Sequence, residues 1–432
     1  MISSLLEQLQ TLSYKGSVHN LNEVVEVAEL LNRAELIRHQ HPQLQQKSVA
    51  LNYTNLADFI TALIAFDGFC TDIYLCPPKL KPSIANIIDW PLIQAMPVEE
   101  NKPTTLQTSE VQTNWHLATS GTTGTPKWIT HSLKSLTTST KVSKNLQALR
   151  WALLYQPFRF AGLQVVLQAL LSGADLVDAA EQPAVTQVDI LRQARVTAIS
   201  ATPSLWRQLI MTGKMNHLSL SHITLGGEIA DQKILDSLKT LFPLATMRHI
   251  YASTEVGVGL VVTDGLAGFP AEWLENDEKA LALKVSNEQH LLIKPLCSMC
   301  KSLVTDKDTQ GYVDTHDVVQ IIDARVMFLG RATGTINVGG NKVHPEKVEQ
   351  VLLQCPAINE AKVFAKKSPL IGELVVAQIT LNADVQLQEV KLQALQLCKK
   401  QLQRFEIPTK ISVVDKLSHD PSGKLNRNQQ HD

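Results

Sequence analysis

The sequence has no long apolar run, no excess of charge of one sign and few cysteines. One of its longest apolar runs, Leu163 to Leu171, is interrupted by two glutamines, so we expect no transmembrane helix. The formal net charge is −1, which argues against partners bound through bulk charge, such as nucleic acid or an anionic membrane. The N-terminus has neither a basic nor a long apolar segment, so we expect no signal peptide.

The six cysteines are scattered along the chain, which favours reduced thiols in a cytoplasmic enzyme over a disulfide framework. Cys297 and Cys300 form a Cys-x-x-Cys pair, but no second Cys or His pair follows at the spacing of a zinc site. We therefore interpret them as packed free thiols. The sequence also lacks the His-Glu-x-x-His and Gly-x-Ser-x-Gly patterns, which excludes two common classes of hydrolytic site.

The composition is that of a globular protein: 44% of the 432 residues are hydrophobic and 19% are charged, and the length allows two or three domains. Strands alternate with helices in the middle of the chain, a pattern typical of parallel βαβ units. The predicted strands there are Arg150–Tyr155, Gly173–Val177, Val196–Ser200, Ile223–Leu225 and Met247–Tyr251. The predicted helices there are Gly162–Ser172, Val185–Ala194 and Pro203–Met211.

The flanking regions have a different character. Before the βαβ region we predict an amphipathic helix over Leu21–Leu36, a buried helix over Leu56–Phe66 and a strand over Asp72–Leu75. Residues 256–325 favour short strands. A domain boundary is expected near residue 330, followed by about 100 residues of α+β character. The elements predicted after the boundary are helices Val343–Gln354 and Val385–Arg404 and strands Ala361–Phe364, Leu374–Thr380 and Ile411–Val414.

The most informative stretch runs from Leu117 to Lys127 and reads LATSGTTGTPK. Its glycines let backbone N–H groups point into one concavity, and its hydroxyl side chains add further donors. Lys127 supplies a point charge suited to a phosphate. Pro126 stands where the Walker pattern has the Gly before its Lys, so we predict a polyphosphate loop of another type.

This stretch resembles the T-S-G-T-T-G-x-P-K-G loop of the AMP-forming adenylating enzymes, which include acyl-CoA synthetases, luciferases and peptide-synthetase adenylation domains. Trp128 replaces the final Gly. Only about 116 residues precede the loop, a compactness that looks most like the o-succinylbenzoate–CoA ligases. The resemblance implies ATP, Mg²⁺ and coenzyme A as ligands. The residues implied to bind phosphate are Thr119, Ser120, Gly121, Thr122, Thr123, Gly124 and Lys127.

A second motif, Tyr251 to Glu255, is similar to the family's Tyr-Gly-x-Thr-Glu, with Ala252 in place of Gly. The resemblance implies that Glu255 holds Mg²⁺, Thr254 bonds the α-phosphate and Tyr251 lies against adenine. The alternative is an ordinary connection from a strand to a turn. A second loop implied on the adenine side consists of Gly226, Gly227 and Glu228.

A third motif, ending at Asp317, is similar to the family's G-x-x-x-T-G-D, in which the Asp accepts both ribose hydroxyls. His316 stands in place of the Gly. Arg331 lies in a segment that resembles the hinge motif and is implied to contact the ribose, although Thr333 replaces the usual hinge Asp. An overlapping pattern that begins at Asp306 is similar to a calcium loop, but no clear helices flank it.

The C-terminal region carries the last two motifs. Lys424 lies in a segment similar to the G-K-x-x-R that closes the family's chains, where the Lys stabilises charge as the acyl-adenylate forms. Gly339 and Gly340 resemble the glycine turn that lines the thiol channel after the small domain rotates. A simple turn before a helix is the alternative for them. The fold predicted from these motifs is α/β. It has a large N-terminal domain (1–329) of parallel α/β sheets plus a small β region, a hinge (330–334) and a mobile α+β lid domain (335–432).

The acid-binding segment runs from Pro157 to Gly162. Arg159 takes the place of a His that often precedes the family's Gly by three to four residues, and Phe160 and Gly162 are the other candidates for substrate binding. If Arg159 faces the substrate, its guanidinium favours a second carboxylate on the acid. A surface or structural arginine is the alternative.

Three functions remain open at this point. The favoured one is an acid:CoA ligase, with o-succinylbenzoate or another aryl or dicarboxylic acid as substrate. The second is a stand-alone adenylation enzyme that loads the phosphopantetheine of a carrier protein. The third is a nucleotide-binding protein that has lost catalysis; the presence of Lys127, Glu255, Asp317, Arg331 and Lys424 argues against it.

Overall fold

The computed structural model describes residues 4–11, 16–20, 23–78, 80, 82, 86–90, 111–119, 127–254, 257–274, 282–294, 308–368, 372–382, 386–420 and 423–426. Several predicted residues lie outside these ranges: Ser120, Gly121, Thr122, Thr123, Gly124, Glu255, Cys297, Cys300 and Asp306. Among the helices described, none is both long and apolar enough to cross a bilayer.

The described residues up to Val262 form two α/β sheets. Their strands are β1 (Ser17–His19), β2 (Val24–Glu26), β3 (Ser48–Asn52), β4 (Asp72–Cys76), β5 (Ile88–Asp89), β6 (Asn114–Thr119), β7 (Lys127–Ser132), β8 (Arg150–Leu153), β9 (Asp175–Asp178), β10 (Ala198–Ala201), β11 (His222–Gly226), β12 (Thr246–Ser253) and β13 (Gly257–Val262). Their helices are α1 (Leu5–Thr11), α2 (Val27–Gln40), α3 (Leu56–Phe66), α4 (Leu133–Thr137), α5 (Lys144–Gln147), α6 (Phe160–Ser172), α7 (Ala184–Gln193), α8 (Pro203–Met211) and α9 (Gln232–Leu241).

The two sheets are mixed rather than parallel throughout. One has the strand order β13-β12-β11-β10-β8-β9-β1-β2 and the other has the order β5-β3-β4-β6-β7. The inner strands are parallel, whereas the edge strands β2, β7 and β13 run antiparallel to their neighbours. The α/β class is therefore confirmed, with antiparallel edges that the alternation of strands and helices did not predict.

The hydrophobic pattern predicted most of the helices well because their ends carry clear signals. Helix α3 occupies the predicted range Leu56–Phe66, and every residue in it except Asp58 is buried. Helix α8 begins at the predicted Pro203, and the Thr202 hydroxyl caps it by accepting the backbone N–H of Leu205. The prediction of a helix over Leu21–Leu36 was wrong at its start. The β-branched Val24 and Val25 lie in strand β2 beside β1, because pairing at a sheet edge overrides the helical pattern.

The described residues between 269 and 331 form an antiparallel sheet of their own. Its strands are β14 (Phe269–Pro270), β15 (Ala282–Val285), β16 (His290–Lys294), β17 (Val313–Ile322) and β18 (Arg325–Arg331). The strand order is β14-β18-β17-β16-β15. The predicted β region, 256–325, differs from this sheet in its bounds, because β13 (Gly257–Val262) joins the eight-stranded sheet and β18 extends to Arg331.

The C-terminal region has its own sheet and its own buried core. Its elements are β19 (Ile336–Val338), β20 (Asn341–Val343), α10 (Pro345–Leu353), β21 (Ile358–Ser368), β22 (Gly372–Leu381), α11 (Leu387–Gln401) and β23 (Lys410–Val413). The third sheet ends at Arg331 and this one begins at Ile336, so the predicted hinge 330–334 comprises the last two residues of β18 and the helical turn Ala332–Gly334 after it. That these residues act as a hinge stays a prediction.

One lysine ties the two parts of the chain together. The Lys233 ammonium, on α9, donates to the backbone carbonyl oxygens of Cys355 at 2.9 Å and Ile358 at 2.7 Å, and lies 3.4 Å from that of Pro356. These carbonyls follow the C-terminal end of α10, where cations are favoured. Burial lowers the pKa of Lys233.

Candidate functional site

The site forms where parallel strands of the eight-stranded sheet end. Strands β10, β11 and β12 are parallel neighbours, and their carboxyl ends lead into Thr202, Gly227 and Thr254. Loops that follow adjacent parallel strands meet at one edge of a sheet, which is where ligands bind in open α/β folds.

The C-terminal segment reaches this edge as a short hairpin. His419 pairs with Leu425 in an antiparallel bridge, and the backbone N–H of Asp420 donates to the carbonyl oxygen of Lys424 at 2.8 Å. At the tip, Gly423 has a φ of 72°, which glycine adopts without strain. The Gly423 carbonyl accepts a hydrogen bond of 2.7 Å from the Thr202 hydroxyl. The hairpin is thus fixed to the end of β10.

The hairpin places Lys424 against the glycine loop after β11. A Cβ atom added to Gly227 would lie 3.1 Å from Lys424 Cε and 3.6 Å from its Nζ. Gly227 also has a positive φ of 81°, so a larger residue would be strained there as well as crowded. Two sequence-predicted features, 197 residues apart in the chain, therefore meet at one place.

Glu228 joins the same three segments. One of its carboxylate oxygens accepts the backbone N–H of Ser204 at 2.9 Å, in the first turn of α8. The other accepts the backbone N–H of Leu425 at 3.0 Å. A carboxylate is favoured at a helix N-terminus, and here it also holds the residue next to Lys424. The sequence predicted Glu228 on the nucleotide side of the site but gave no signal for this anchoring contact.

A second group of predicted residues meets between β12 of the eight-stranded sheet and the antiparallel sheet. The Tyr251 hydroxyl donates a short hydrogen bond to one Asp317 oxygen, and Arg331 Nε lies 3.1 Å from the other. The Tyr251 ring stacks on Phe328, with ring centroids 5.2 Å apart. The Asp317 side chain is 12% exposed and that of Arg331 is 59% exposed. The structure therefore brings Tyr251, which the resemblance placed against adenine, together with Asp317 and Arg331, which it implied to contact the ribose.

The pKa values at this cluster follow its burial. Burial raises the pKa of the Asp317 carboxyl, and the Arg331 guanidinium opposes that rise only in part. Burial and the neighbouring Asp317 both raise the pKa of the Tyr251 hydroxyl, so Tyr251 remains a hydrogen-bond donor.

The phosphate-loop sequence connects two paired strands. Thr119 ends β6 and Lys127 begins β7; the two residues are register partners, and the Thr119 hydroxyl donates to the Lys127 carbonyl oxygen at 3.3 Å. Lys127 is exposed. The sheet thus fixes both ends of the predicted loop.

The other predicted residues lie at turns. Ala252 adjoins an irregularity in the register of β12 and β13, and Thr254 forms the turn after β12. Gly339 and Gly340 form the exposed turn between β19 and β20, with φ values of 56° and 90°. A Cβ atom on either would meet nothing within 4 Å, so this turn leaves open space around its backbone.

The predicted acid-binding residues follow strand β8, next to β10. Arg159 immediately precedes α6 without a capping hydrogen bond from its side chain, and its Nε donates to Gln156 Oε1 at 2.9 Å. Within the part of the chain that the structure describes, no ion pair involves Arg159. The Phe160 ring faces His131, with ring centroids 5.8 Å apart. Arg159 is therefore positioned without a carboxylate partner among these residues.

Gly162 is required by close packing, and we expect Gly162→Ala to destabilise the fold. An added Cβ atom would lie 2.2 Å from the carbonyl oxygen of Gln156. Such overpacking costs about 1–3 kcal/mol or more, so the melting temperature should fall. Thermal unfolding checks this. The matched control is Gly334→Ala, where a Cβ atom would meet nothing within 4 Å; equal melting temperatures for the two variants would contradict the prediction.

Comparison with known proteins decides the family. The profile described as AMP-binding enzyme matches residues 80–313, and that of the AMP-binding enzyme C-terminal domain matches residues 347–424. The chain belongs to the AMP-binding enzyme family. The resemblance drawn from the phosphate loop is thereby confirmed.

Relatives of this AMP-binding enzyme agree on the reaction class. A 2-succinylbenzoate–CoA ligase of Listeria innocua is 25% identical over 363 residues, which cover 77% of this chain and 74% of that protein. The solved anthranilate CoA ligase with anthranoyl-AMP has a TM-score of 0.79 at 15% identity, covering 98% of this chain and 95% of its own. The solved Bacillus subtilis o-succinylbenzoate CoA synthetase with its acyl-adenylate has a TM-score of 0.72 at 20% identity. The match covers 99% of this chain and 98% of that one. The family and the curated relatives identify the protein as an AMP-forming acid–thiol ligase, as predicted, and the two solved structures show that it has their fold.

In this AMP-binding enzyme we expect Glu228→Gln to weaken the contacts that hold Leu425, the residue next to Lys424. Glu228→Gln retains one acceptor oxygen but turns the other into an NH₂ group that cannot accept a backbone N–H. A hydrogen bond to a charged group contributes about 1.5–3 kcal/mol. Because the resemblance implies that Lys424 acts in adenylation, we expect the adenylation rate to fall roughly 10- to 100-fold as Lys424 loses its position. Pyrophosphate exchange measures this.

The matched control is Glu272→Gln, since Glu272 is exposed. The thioester-forming half-reaction of the Glu228 variant, started from supplied acyl-adenylate, should keep its rate. Loss of both half-reactions together, or of neither, would contradict the anchoring role.

Proposed function

We propose that the protein is an ATP-dependent, AMP-forming carboxylic acid:CoA ligase that acts on an aryl or dicarboxylic acid, with o-succinylbenzoate as the leading candidate. The observation that carries the proposal is the contact of Lys424 with the Gly227 loop, because it brings a second ammonium group to the strand ends where the nucleotide would bind. The curated relatives named as 2-succinylbenzoate–CoA ligases support the choice of acid.

The first half-reaction is attack of the acid carboxylate on the α-phosphorus of ATP, with release of pyrophosphate. In our proposal Lys424 and Lys127 stabilise the charge that develops on the phosphoryl oxygens. Thr254 bonds the α-phosphate, and Glu255 holds Mg²⁺, whose preferred ligands are oxygens. The remaining phosphate-loop residues, Thr119 to Gly124, supply hydroxyl and amide donors.

Nucleoside binding is assigned to the cluster around Asp317. The two Asp317 oxygens already accept hydrogen bonds from Tyr251 and Arg331, and each carboxylate oxygen can accept a further one. Ribose hydroxyls suit those remaining positions, and the strand ends at Gly226 and Ala252 would flank the base.

The second half-reaction needs a different face of the C-terminal domain. We propose that this domain turns about residues 330–334, withdraws Lys424 and presents Gly339 and Gly340 to the thiol. The open space around that turn fits close approach of a pantetheine chain.

Acid selection is assigned to the segment after β8. The Arg159 guanidinium retains donors beyond the one used by Gln156, so it can pair with a second carboxylate on the substrate. Phe160 and Gly162 would form the adjoining wall.

A screen of ATP–pyrophosphate exchange over aryl, fatty, dicarboxylic and amino acids tests the proposal. We expect the strongest exchange with aromatic acids that carry a second carboxylate. Arg159→Gln should raise the KM for those acids about tenfold or more and leave that for benzoate-type monoacids unchanged. Preference for fatty or amino acids would contradict the assignment.

The thiol is tested separately. With the preferred acid and ATP, free CoA should yield a thioester. Transfer only to the phosphopantetheine of a holo carrier protein would identify a stand-alone adenylation enzyme instead. No exchange with any acid would indicate a nucleotide-binding protein without catalysis.

A further inference from the structure

A cluster of two histidines and an aspartate lies on the antiparallel sheet, outside the site described above. His290 begins β16, and Asp314 and His316 lie on the adjacent β17. One potential ligand atom from each of these side chains lies within 4.8 Å of the other two. Asp314 Oδ2 is 2.9 Å from His290 Nδ1 and 3.4 Å from His316 Nδ1.

An irregularity in the strand pairing creates this cluster. His290 pairs with Val318, whereas Leu292 pairs with Asp314. Between these two pairs β16 has one residue and β17 has three, so β17 bulges. Within that bulge His316 has a φ of 56°, a left-handed conformation that is strained for most side chains. The family pattern has glycine at this position, which would adopt the conformation freely. This chain instead has an imidazole, and the bend directs it at Asp314.

A backbone hydrogen bond fixes the orientation of the Asp314 carboxylate. Asp314 Oδ1 accepts the backbone N–H of His316 at 2.7 Å, which leaves Oδ2 directed at the two imidazoles. Backbone or carboxylate hydrogen bonds of this kind typically orient metal ligands. The side chain of His290 is 19% exposed and that of His316 is 60% exposed, so an ion can enter from solvent.

We propose that His290, Asp314 and His316 bind a divalent transition-metal ion of the Zn²⁺ type. Two imidazoles and one carboxylate are donors that Zn²⁺ accepts, with a fourth position open to water. Bonds of about 2.0–2.2 Å in a tetrahedron separate neighbouring donor atoms by roughly 3.3 Å, close to the distances around Asp314 Oδ2. Imidazole donors disfavour Mg²⁺ and Ca²⁺, which prefer oxygen.

This site is distinct from the proposed nucleotide site. Asp317, in the same bulge, directs its carboxylate to Tyr251 and Arg331 rather than to the histidines. The metal site therefore does not depend on the proposed reaction, and a test by metal binding can succeed or fail independently of ligase activity.

Titration of the purified full chain with Co²⁺, without nucleotide, tests the proposal. We expect one ion per chain and visible ligand-field bands without the near-ultraviolet bands of thiolate ligation. Asp314→Asn and His316→Gly should each weaken binding by about 100-fold or more, since even the loss of a residue that only orients a ligand costs about 10- to 100-fold in metal affinity. Zn²⁺ should displace Co²⁺ from the native protein, and Mg²⁺ should not.

Two controls keep the test decisive. His39 is exposed on α2, so His39→Ala should bind Co²⁺ as the native protein does. His316→Gly relieves the left-handed backbone and should fold with an unchanged or higher melting temperature, so its loss of binding cannot be attributed to unfolding. Equal affinity in native and His316→Gly proteins, thiolate bands in the cobalt spectrum, or no binding by the native chain would overturn the proposal.

Discussion

Lys424→Ala should lose most of its ATP–pyrophosphate exchange, by about 10²- to 10³-fold in kcat, which corresponds to roughly 2.7–4 kcal/mol. The reason is its location: Lys424 is held against the Gly227 loop by the hairpin tip, the Thr202 hydroxyl and the Glu228 carboxylate. An ammonium fixed in advance stabilises developing charge at little reorganisation cost. KM for ATP should change much less than kcat.

The same variant should keep the second half-reaction. With supplied acyl-adenylate and CoA, thioester formation by Lys424→Ala should proceed near the native rate, because the proposed rotation withdraws this side chain before the thiol attacks. Lys416→Ala is the matched control, since Lys416 is an exposed lysine shortly before the hairpin. Normal exchange in Lys424→Ala would remove the central support for the proposed chemistry.

Asp317→Asn should weaken nucleotide binding strongly. The substitution preserves the shape of the side chain but removes the charge that faces Arg331 and, in our proposal, the ribose. Hydrogen bonds to a charged group contribute about 1.5–3 kcal/mol, so we expect the KM for ATP to rise roughly 10- to 100-fold. Exchange kinetics measured against ATP concentration check this, with Asp415→Ala, at an exposed position, as the control.

The same substitution should make the fold more stable at neutral pH. Because the folded-state pKa of Asp317 is raised by burial, ionisation costs the native state more than the unfolded state. That penalty is absent below the unfolded pKa of about 3.9, grows as pH rises, and is complete above the folded pKa. Asp317→Asn removes it, so its melting temperature should exceed that of the native protein at pH 7.5 and match it near pH 4. A lower melting temperature at pH 7.5 would contradict this.

The sequence predicted the helices and strand ends that are determined by neighbouring residues in the chain. Continuous apolar runs with defined ends gave helices such as α3 and α8, and turn residues marked the strand ends around Gly227. The start of α2 was misplaced because Val24 and Val25 pair with β1, a contact that no local pattern contains. The antiparallel edges of the sheets depend likewise on which strands become neighbours.

The candidate site was predicted through motifs, and its less visible parts depend on tertiary contacts. Asp317 and Arg331 were chosen for a role on the ribose, and the structure adds that they form an ion pair with each other. The second role of Glu228, as the anchor of Leu425, could not be predicted from the sequence. Its partner is a backbone N–H group, which almost every residue type has, so no particular residue at position 425 reveals the contact. The histidine–aspartate cluster was missed for a similar reason: His316 was visible only as a departure from a pattern until β16 placed His290 beside it.

The three carbonyl oxygens around Lys233 bear on the proposed domain rotation. They hold the C-terminal domain in the arrangement that has Lys424 at the strand ends. If that domain turns as proposed, the ammonium must leave these carbonyl oxygens and be rehydrated. Lys233 thus adds to the cost of the proposed rotation, together with the Thr202–Gly423 and Glu228–Leu425 hydrogen bonds, from a position on α9.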